Sequence, residues 1–151
     1  MKQLKKLKLR QLEKSLTQWR GAALPQTPPE GWARAIRQAL GMSSRFLGER
    51  IELTDSAVRR LEDSEKAETI TLNSLKKLAE GLGCELRYAL IPKQPLPEII
   101  KAQALKVAQK QVGLVAHNMA MEAQQVDSQE SSQQVRDLAE ELQSKPRELW
   151  Q

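Results

Sequence analysis

Apolar positions along the chain fall into short helical stripes separated by polar or proline-rich breaks. Leu9, Leu12, Leu16 and Trp19 recur at helical spacing and predict a first helix over 2–20. GAALPQTPPEG (21–31), with three prolines and two glycines, reads as a linker. WARAIRQAL predicts a helix over 32–40, with Trp32, Ala35, Ile36 and Leu40 on one side and Gly41 as its stop. Ser43 is placed to cap a second short helix ending near Arg50, and Thr54 to cap a third. Asp55 stands in that third helix's first turn, where a carboxylate suits the helix dipole. Residues 63–70 read as a polar connection, after which Thr71 caps a helix carrying Leu72, Leu75, Leu78, Ala79 and Leu82 and ending at Gly83.

The pattern then changes period. In residues 84–91, Leu86, Tyr88 and Leu90 alternate with Glu85, Arg87 and Ala89, which predicts one short strand ended by Pro92. A lone strand has unmet backbone hydrogen bonds. Either it pairs with the same strand of a second protomer, as a dimer strand, or it packs extended on the helices and is hydrated. Beyond PKQPLP, residues 97–125 predict a long helix with Ile100, Ala104, Val107, Ala108, Val115 and Met119 on its apolar side. A shorter helix over 131–143 has the pattern of a capping box, Ser131 with Gln134, and presents Val135, Leu138, Ala139 and Leu142. RELWQ remains as a tail. The two narrow, alanine-rich faces need a surface to pack on: the domain itself, a second protomer or another protein.

The stretch MSSRFLGERIELTDSAVRRLE (42–62) has the apolar grammar of a helix-turn-helix. Met42, Leu47, Ile51, Leu53, Val58 and Leu61 are the inward positions, and small Gly48 stands where the second helix must pass close. Such a pair lays its second helix in the major groove of duplex DNA. The base-facing candidates are Asp55, Ser56, Ala57, Arg59 and Arg60. Arg59 is the best placed to read guanine bidentately, a contact worth about 1–3 kcal/mol of discrimination. Asp55 either accepts from cytosine or only helps the helix start, and Arg60 either reaches DNA or pairs with Glu49 or Glu62 as scaffolding. Ser43, Ser44, Arg45 and Thr54 are the phosphate-contact candidates around the two helix starts.

Charge strengthens that reading. Residues 1–20 hold seven Lys/Arg against one Glu, a balance of +6 within a total of +5. Lys2, Lys6, Arg10 and Lys14 recur every four residues, as a phosphate-contacting row or as a solvated helix face. With 3% aromatics and 28% charged residues, the chain favours helices packed by aliphatic side chains. No apolar run is long enough to span a bilayer, so no membrane association is expected. A single cysteine, Cys84, fits a reducing compartment, and the expected location is cytoplasmic and nucleoid-associated. His117 and Cys84 alone make no metal site, and no phosphate loop, nucleophile elbow or paired-carboxylate setting is visible. No cofactor and no enzymatic activity are expected.

Across residues 32–83 the pieces GMSSRFLGERI, LTDSAVRRLE and TLNSLKKLAEGLG resemble the Cro/phage-repressor (Xre) family of helix-turn-helix proteins. Glu52 stands where that family has a turn glycine, so it must adopt positive φ or reshape the turn, at a cost of order 1 kcal/mol. GWARAIRQALGMS, SEKAETITLNSLKKLAEGLGCELRYALIP, VAHNMAMEAQ and the ending near PRELW resemble the mobile mystery protein A family over nearly the whole chain. That resemblance implies an Xre-type regulator encoded beside a Fic-domain protein, hence the antitoxin-like member of a toxin–antitoxin-like pair. Ser64 to Glu68 and Ser144 to Glu148 approach a Fic-inhibitory motif, but one lies in a connection and the other contains Pro146. The expected fold is all-α, built around a five-helix Xre/lambda-repressor-like core: a basic N-terminal helix (1–20), a helix-turn-helix domain over 32–92 with one short strand at 84–91, and a helical extension (93–151). The expected function is sequence-specific binding of double-stranded DNA as a homodimer, repressing its own operon. The alternative is a module that mainly holds the Fic-domain partner through its C-terminal helices.

Overall fold

A computed structural model describes residues 2–121 and 128–151. It has two compact units, one formed by Ala23–Ala89 and the other by Met1–Ala22 with Leu90–Gln151.

The first unit contains α2 (Trp32–Ala39), α3 (Ser44–Arg50), α4 (Asp55–Lys66) and α5 (Leu72–Gly81). Its core is Ala33, Leu47, Ile51, Val58, Leu78 and Leu82, flanked by Ile36, Met42, Leu53, Leu61, Ile70 and Cys84. All six positions assigned inward from the 42–62 pattern lie in this core or against it. The unit has four helices rather than five. The segment read as a polar connection is helical to Lys66, because the inward positions of α4 continue through Glu62 and Glu65 with polar side chains.

That continuation also turns α2. Trp32 and Leu40 are exposed and Ala33 is buried, a rotation that brings Arg34 and Arg37 toward α4. Glu62 is fully buried. Its Oε1 accepts from Arg37 Nε at 2.6 Å, and its Oε2 accepts from Arg34 Nε at 3.0 Å and Arg37 Nη2 at 2.9 Å. Arg37 also donates through Nη1 to the Met42 carbonyl at 3.0 Å, tying down the α2–α3 loop. One turn later Glu65 accepts from the backbone amides of Trp32 and Ala33 at 2.8 and 3.0 Å. A carboxylate at that helix start both satisfies two orphan donors and complements the dipole.

Residues 84–91 form no strand, and the described residues contain none. Alternation supplies side-chain facing, but a strand needs a ladder partner, and the described chain offers none. Leu86 is half-buried, while Tyr88 and Leu90 are exposed.

The second unit contains α1 (Lys2–Gly21), α6 (Leu96–Met121), α7 (Ser128–Gln143) and a closing 3-10 turn, Pro146–Trp150. Residues 122–125 of the expected long helix lie outside the described residues. α7 starts before Ser131, so the capping box does not form. The narrow faces of α6 and α7 pack on each other through Ala104, Ala108, Ala139 and Leu142, buried together with Leu149, whereas Val115, expected on the same side of α6, is exposed. Leu149, read from the sequence as tail, is thus a core residue, and its carbonyl accepts from Gln103 Nε2 at 2.8 Å. Glu13 fastens α1 by accepting from the Leu96 amide at 2.9 Å and pairing with Arg20 at 3.0 Å. Those two contacts hold its carboxyl below the usual range. Leu9, Leu16 and Trp19 are half-buried, whereas Leu12 is exposed.

Burial alone would push the Glu62 carboxyl up, but the hydrogen bonds from Arg37 and Arg34 outweigh it and hold its pKa below the ordinary 4.5. A depressed carboxylate stabilises the fold fully above its unfolded value, and that contribution is lost as pH falls through the folded value. Glu62→Ala leaves two arginines facing a buried gap and is expected to cost about 3–5 kcal/mol in urea unfolding at neutral pH. Stability of the wild type should fall below the ordinary carboxylate range more steeply than that of Glu62→Gln. Equal acid profiles would contradict a charged Glu62.

Candidate nucleic-acid interface

Two N-caps set the geometry of α3 and α4. Ser43 is extended and its hydroxyl accepts from the Phe46 amide at 3.1 Å. Thr54 is likewise extended and accepts from the Ala57 amide at 3.2 Å. Both residues remain at least partly open to solvent. Between the helices the chain turns back tightly: the Leu53 amide donates to the Gly48 carbonyl at 2.8 Å. A Cβ built on Gly48 would stand 2.4 Å from the Leu53 carbonyl oxygen. Only glycine fits that crossing. Glu52 takes the positive-φ route, at 58°, so the turn keeps its backbone shape without a glycine.

The outward side of α4 follows from what is buried. Val58 and Glu62 face fully inward, which leaves Ser56 and Arg60, one turn apart, on the opposite side. Both are exposed. Arg60 pairs with neither Glu49 nor Glu62 and has no ion pair among the described residues, since Arg34 and Arg37 occupy Glu62. The scaffolding alternative for Arg60 is therefore corrected. Ala57 is half-buried, beside the cap.

Asp55 and Arg59, also one turn apart, lie on the flank toward α3. Arg59 Nη2 pairs with Asp55 Oδ2 at 3.0 Å, and Arg59 Nε donates to Ser44 Oγ at 3.3 Å. The Ser44 hydroxyl in turn donates to Asp55 Oδ1. Ser44 is only 7% exposed, whereas the Arg59 side chain is 65% exposed. Both expected roles that needed open groups, Ser44 on phosphate and Asp55 on cytosine, meet side chains already engaged. Arg45 is exposed and pairs with Glu49 at 3.3 Å, a surface contact worth little and easily exchanged for a phosphate.

Of the basic row, Lys6, Arg10 and Lys14 are exposed on α1, in the other compact unit; the side chain of Lys2 lies outside the described residues. Among the described residues no cluster of His, Cys, Asp and Glu is placed to hold a metal, and no helix is long and apolar enough to cross a membrane.

Sequence reasoning missed the Ser44–Asp55–Arg59 contact and the inward turn of Glu62. The first joins residues from two helices and leaves no local signature. The second had a faint one in Arg34 and Arg37, spaced three apart beside an apolar face.

A helix-turn-helix family model matches residues 34–88. These residues are an Xre-type helix-turn-helix domain, a DNA-binding regulatory class rather than an enzymatic one. The match begins within α2, runs past the end of α5 and includes the whole α3–α4 pair. No curated protein and no solved structure matches the chain.

Proposed function

We propose that this chain is a sequence-specific transcriptional regulator that binds duplex DNA through the outward side of α4. The observation that carries the proposal is the open face of Ser56, Arg59 and Arg60 at the leading end of a helix held by Thr54. A helix-turn-helix inserts this end into a major groove, where such side chains meet base edges. Ser43, Arg45 and Thr54 flank that end as phosphate contacts. Ala57, half-buried at the cap, offers a methyl contact at most. Lys6, Arg10 and Lys14 supply sequence-independent attraction from α1.

The regulator acts as a homodimer on a pseudo-palindromic operator, its two recognition helices about 34 Å apart, and represses its own operon in the cytoplasm. Resemblance to the mobile mystery protein A family supports a second role, the antitoxin-like restraint of a Fic-domain protein encoded beside it. A specific feature favours the C-terminal helices for that contact. Leu114, Val115 and Met121 are exposed on α6, in a stretch, residues 111–121, without a single Lys, Arg, Asp or Glu.

Arg60→Ala is expected to weaken operator binding about tenfold or more, within the range of one base contact, while random duplex loses far less. Equal losses on both, measured by fluorescence anisotropy, would reduce Arg60 to a phosphate contact. Replacing Lys6, Arg10 and Lys14 by alanine should flatten the log–log salt dependence by about 0.9 for each contact removed; an unchanged slope would mean that the row is merely solvated. Leu114→Glu combined with Val115→Glu should abolish co-purification of a co-expressed Fic-domain protein and leave operator affinity intact. Retained co-purification would sink the C-terminal assignment.

A further inference from the structure

We infer that Ser44 and Asp55 are positioning residues that aim Arg59 at a guanine, so that the operator carries a guanine at one fixed position in each half-site. This rests on the proposal that α4 reads DNA.

A guanidinium has five N–H groups in one plane, along two usable edges. Nε and Nη2 share the side edge; Nη1 and Nη2 share the end edge, with two parallel donors. In Arg59 the side edge is engaged through Nε, which donates to Ser44 Oγ at 3.3 Å, and Nη2 forms an ion pair with Asp55 Oδ2 at 3.0 Å. Ser44 also holds Asp55 by donating to its second oxygen. Three side chains from two helices thus close a ring of contacts around one edge of Arg59. The arginine side chain nevertheless stays 65% exposed, and its Nη1 has no hydrogen-bond or ion-pair partner among the described residues.

A pair of parallel donors matches a pair of adjacent acceptors. In the major groove only guanine presents two acceptors together, N7 and O6; adenine offers one acceptor beside a donor. An arginine held by its side edge has given up much of its rotamer freedom before it meets DNA, which lowers the cost of binding. Asp55 adds selectivity of a second kind. Its carboxylate is held by Ser44 and already paired with Arg59, so a phosphate must compete with it for that arginine. Ser44 is the group that makes this arrangement rigid, being buried at the start of α3.

The test is selection of bound duplexes from a randomised pool by the full-length chain, followed by competition binding. A consensus with one guanine per half-site is expected, and replacing that guanine by 7-deazaguanine should weaken the wild type about tenfold. Arg59→Lys keeps the charge but not the fork and should lose preference at that position alone. Ser44→Ala and Asp55→Asn should lower discrimination at the same position severalfold and leave it unchanged elsewhere. A consensus in which no guanine depends on Arg59 overturns the inference and leaves DNA reading by α4 standing. Equal loss of affinity for every sequence in Ser44→Ala and Asp55→Asn makes those residues structural only, and overturns their positioning role. Absence of any enriched sequence overturns the regulator reading and this inference together. Should one of those variants fail to fold, the other decides the positioning role by the same competition, while the 7-deazaguanine and Arg59→Lys measurements decide the guanine contact.

Discussion

The contact on which the domain depends is the approach of the Leu53 carbonyl to residue 48, at a distance that admits hydrogen and no carbon. It fixes how α4 leaves the turn after α3, and therefore which way every side chain of α4 points. Gly81 allows a similar approach on the other side of α3, since a Cβ there would meet Ile51 and Leu47 side-chain carbons at 2.5 and 2.7 Å. With Gly48 inside α3 and Gly81 of α5 packed against its Leu47 and Ile51, the few residues of α3 suffice to carry α4. The cap at Thr54 then sets the first turn, and the exposed side follows without further choice.

α4 is divided by function along its axis and around its circumference. Its inner side carries Val58 and then two carboxylates, Glu62 and Glu65, which grip Arg34, Arg37 and the amides at the start of α2. Its outer side carries Ser56, Arg59 and Arg60. A buried ion pair is weak evidence for stability, since desolvation offsets much of the attraction. What this one supplies is orientation: three directional bonds from two arginines hold α2 against α4 at one rotation. The same logic recurs at smaller scale where Ser44 and Asp55 hold Arg59.

The helix pair was legible in the sequence because its signals are local. Ser43 and Thr54 sit at the caps, Gly48 at the crossing, and six apolar residues at fixed spacing on the inner side, all within one stretch. Glu52 was legible as a strained turn residue for the same reason, and its φ of 58° agrees. Contacts that join distant residues were not. Glu62 reads as a partner for Arg60 until α2 is turned so that Arg34 and Arg37 face it, and the apolar residues of α2 alone pointed to a different face. Leu149 reads as tail because one leucine carries no period. The alternation at 84–91 indicated facing without a partner, and alternation by itself does not make a strand. Ser44 and Asp55, taken singly, suited phosphate and cytosine; only together with Arg59 do they become an internal cluster.

The most direct test of α4 as the DNA-reading surface is mapping of backbone amide shifts in the isotope-labelled full chain as duplex DNA is added. The largest changes should fall in Thr54 to Arg60, with smaller ones at Ser43 to Arg45 and along α1. Changes confined to α6 and α7, with residues 54–60 unmoved at saturation, would contradict that assignment.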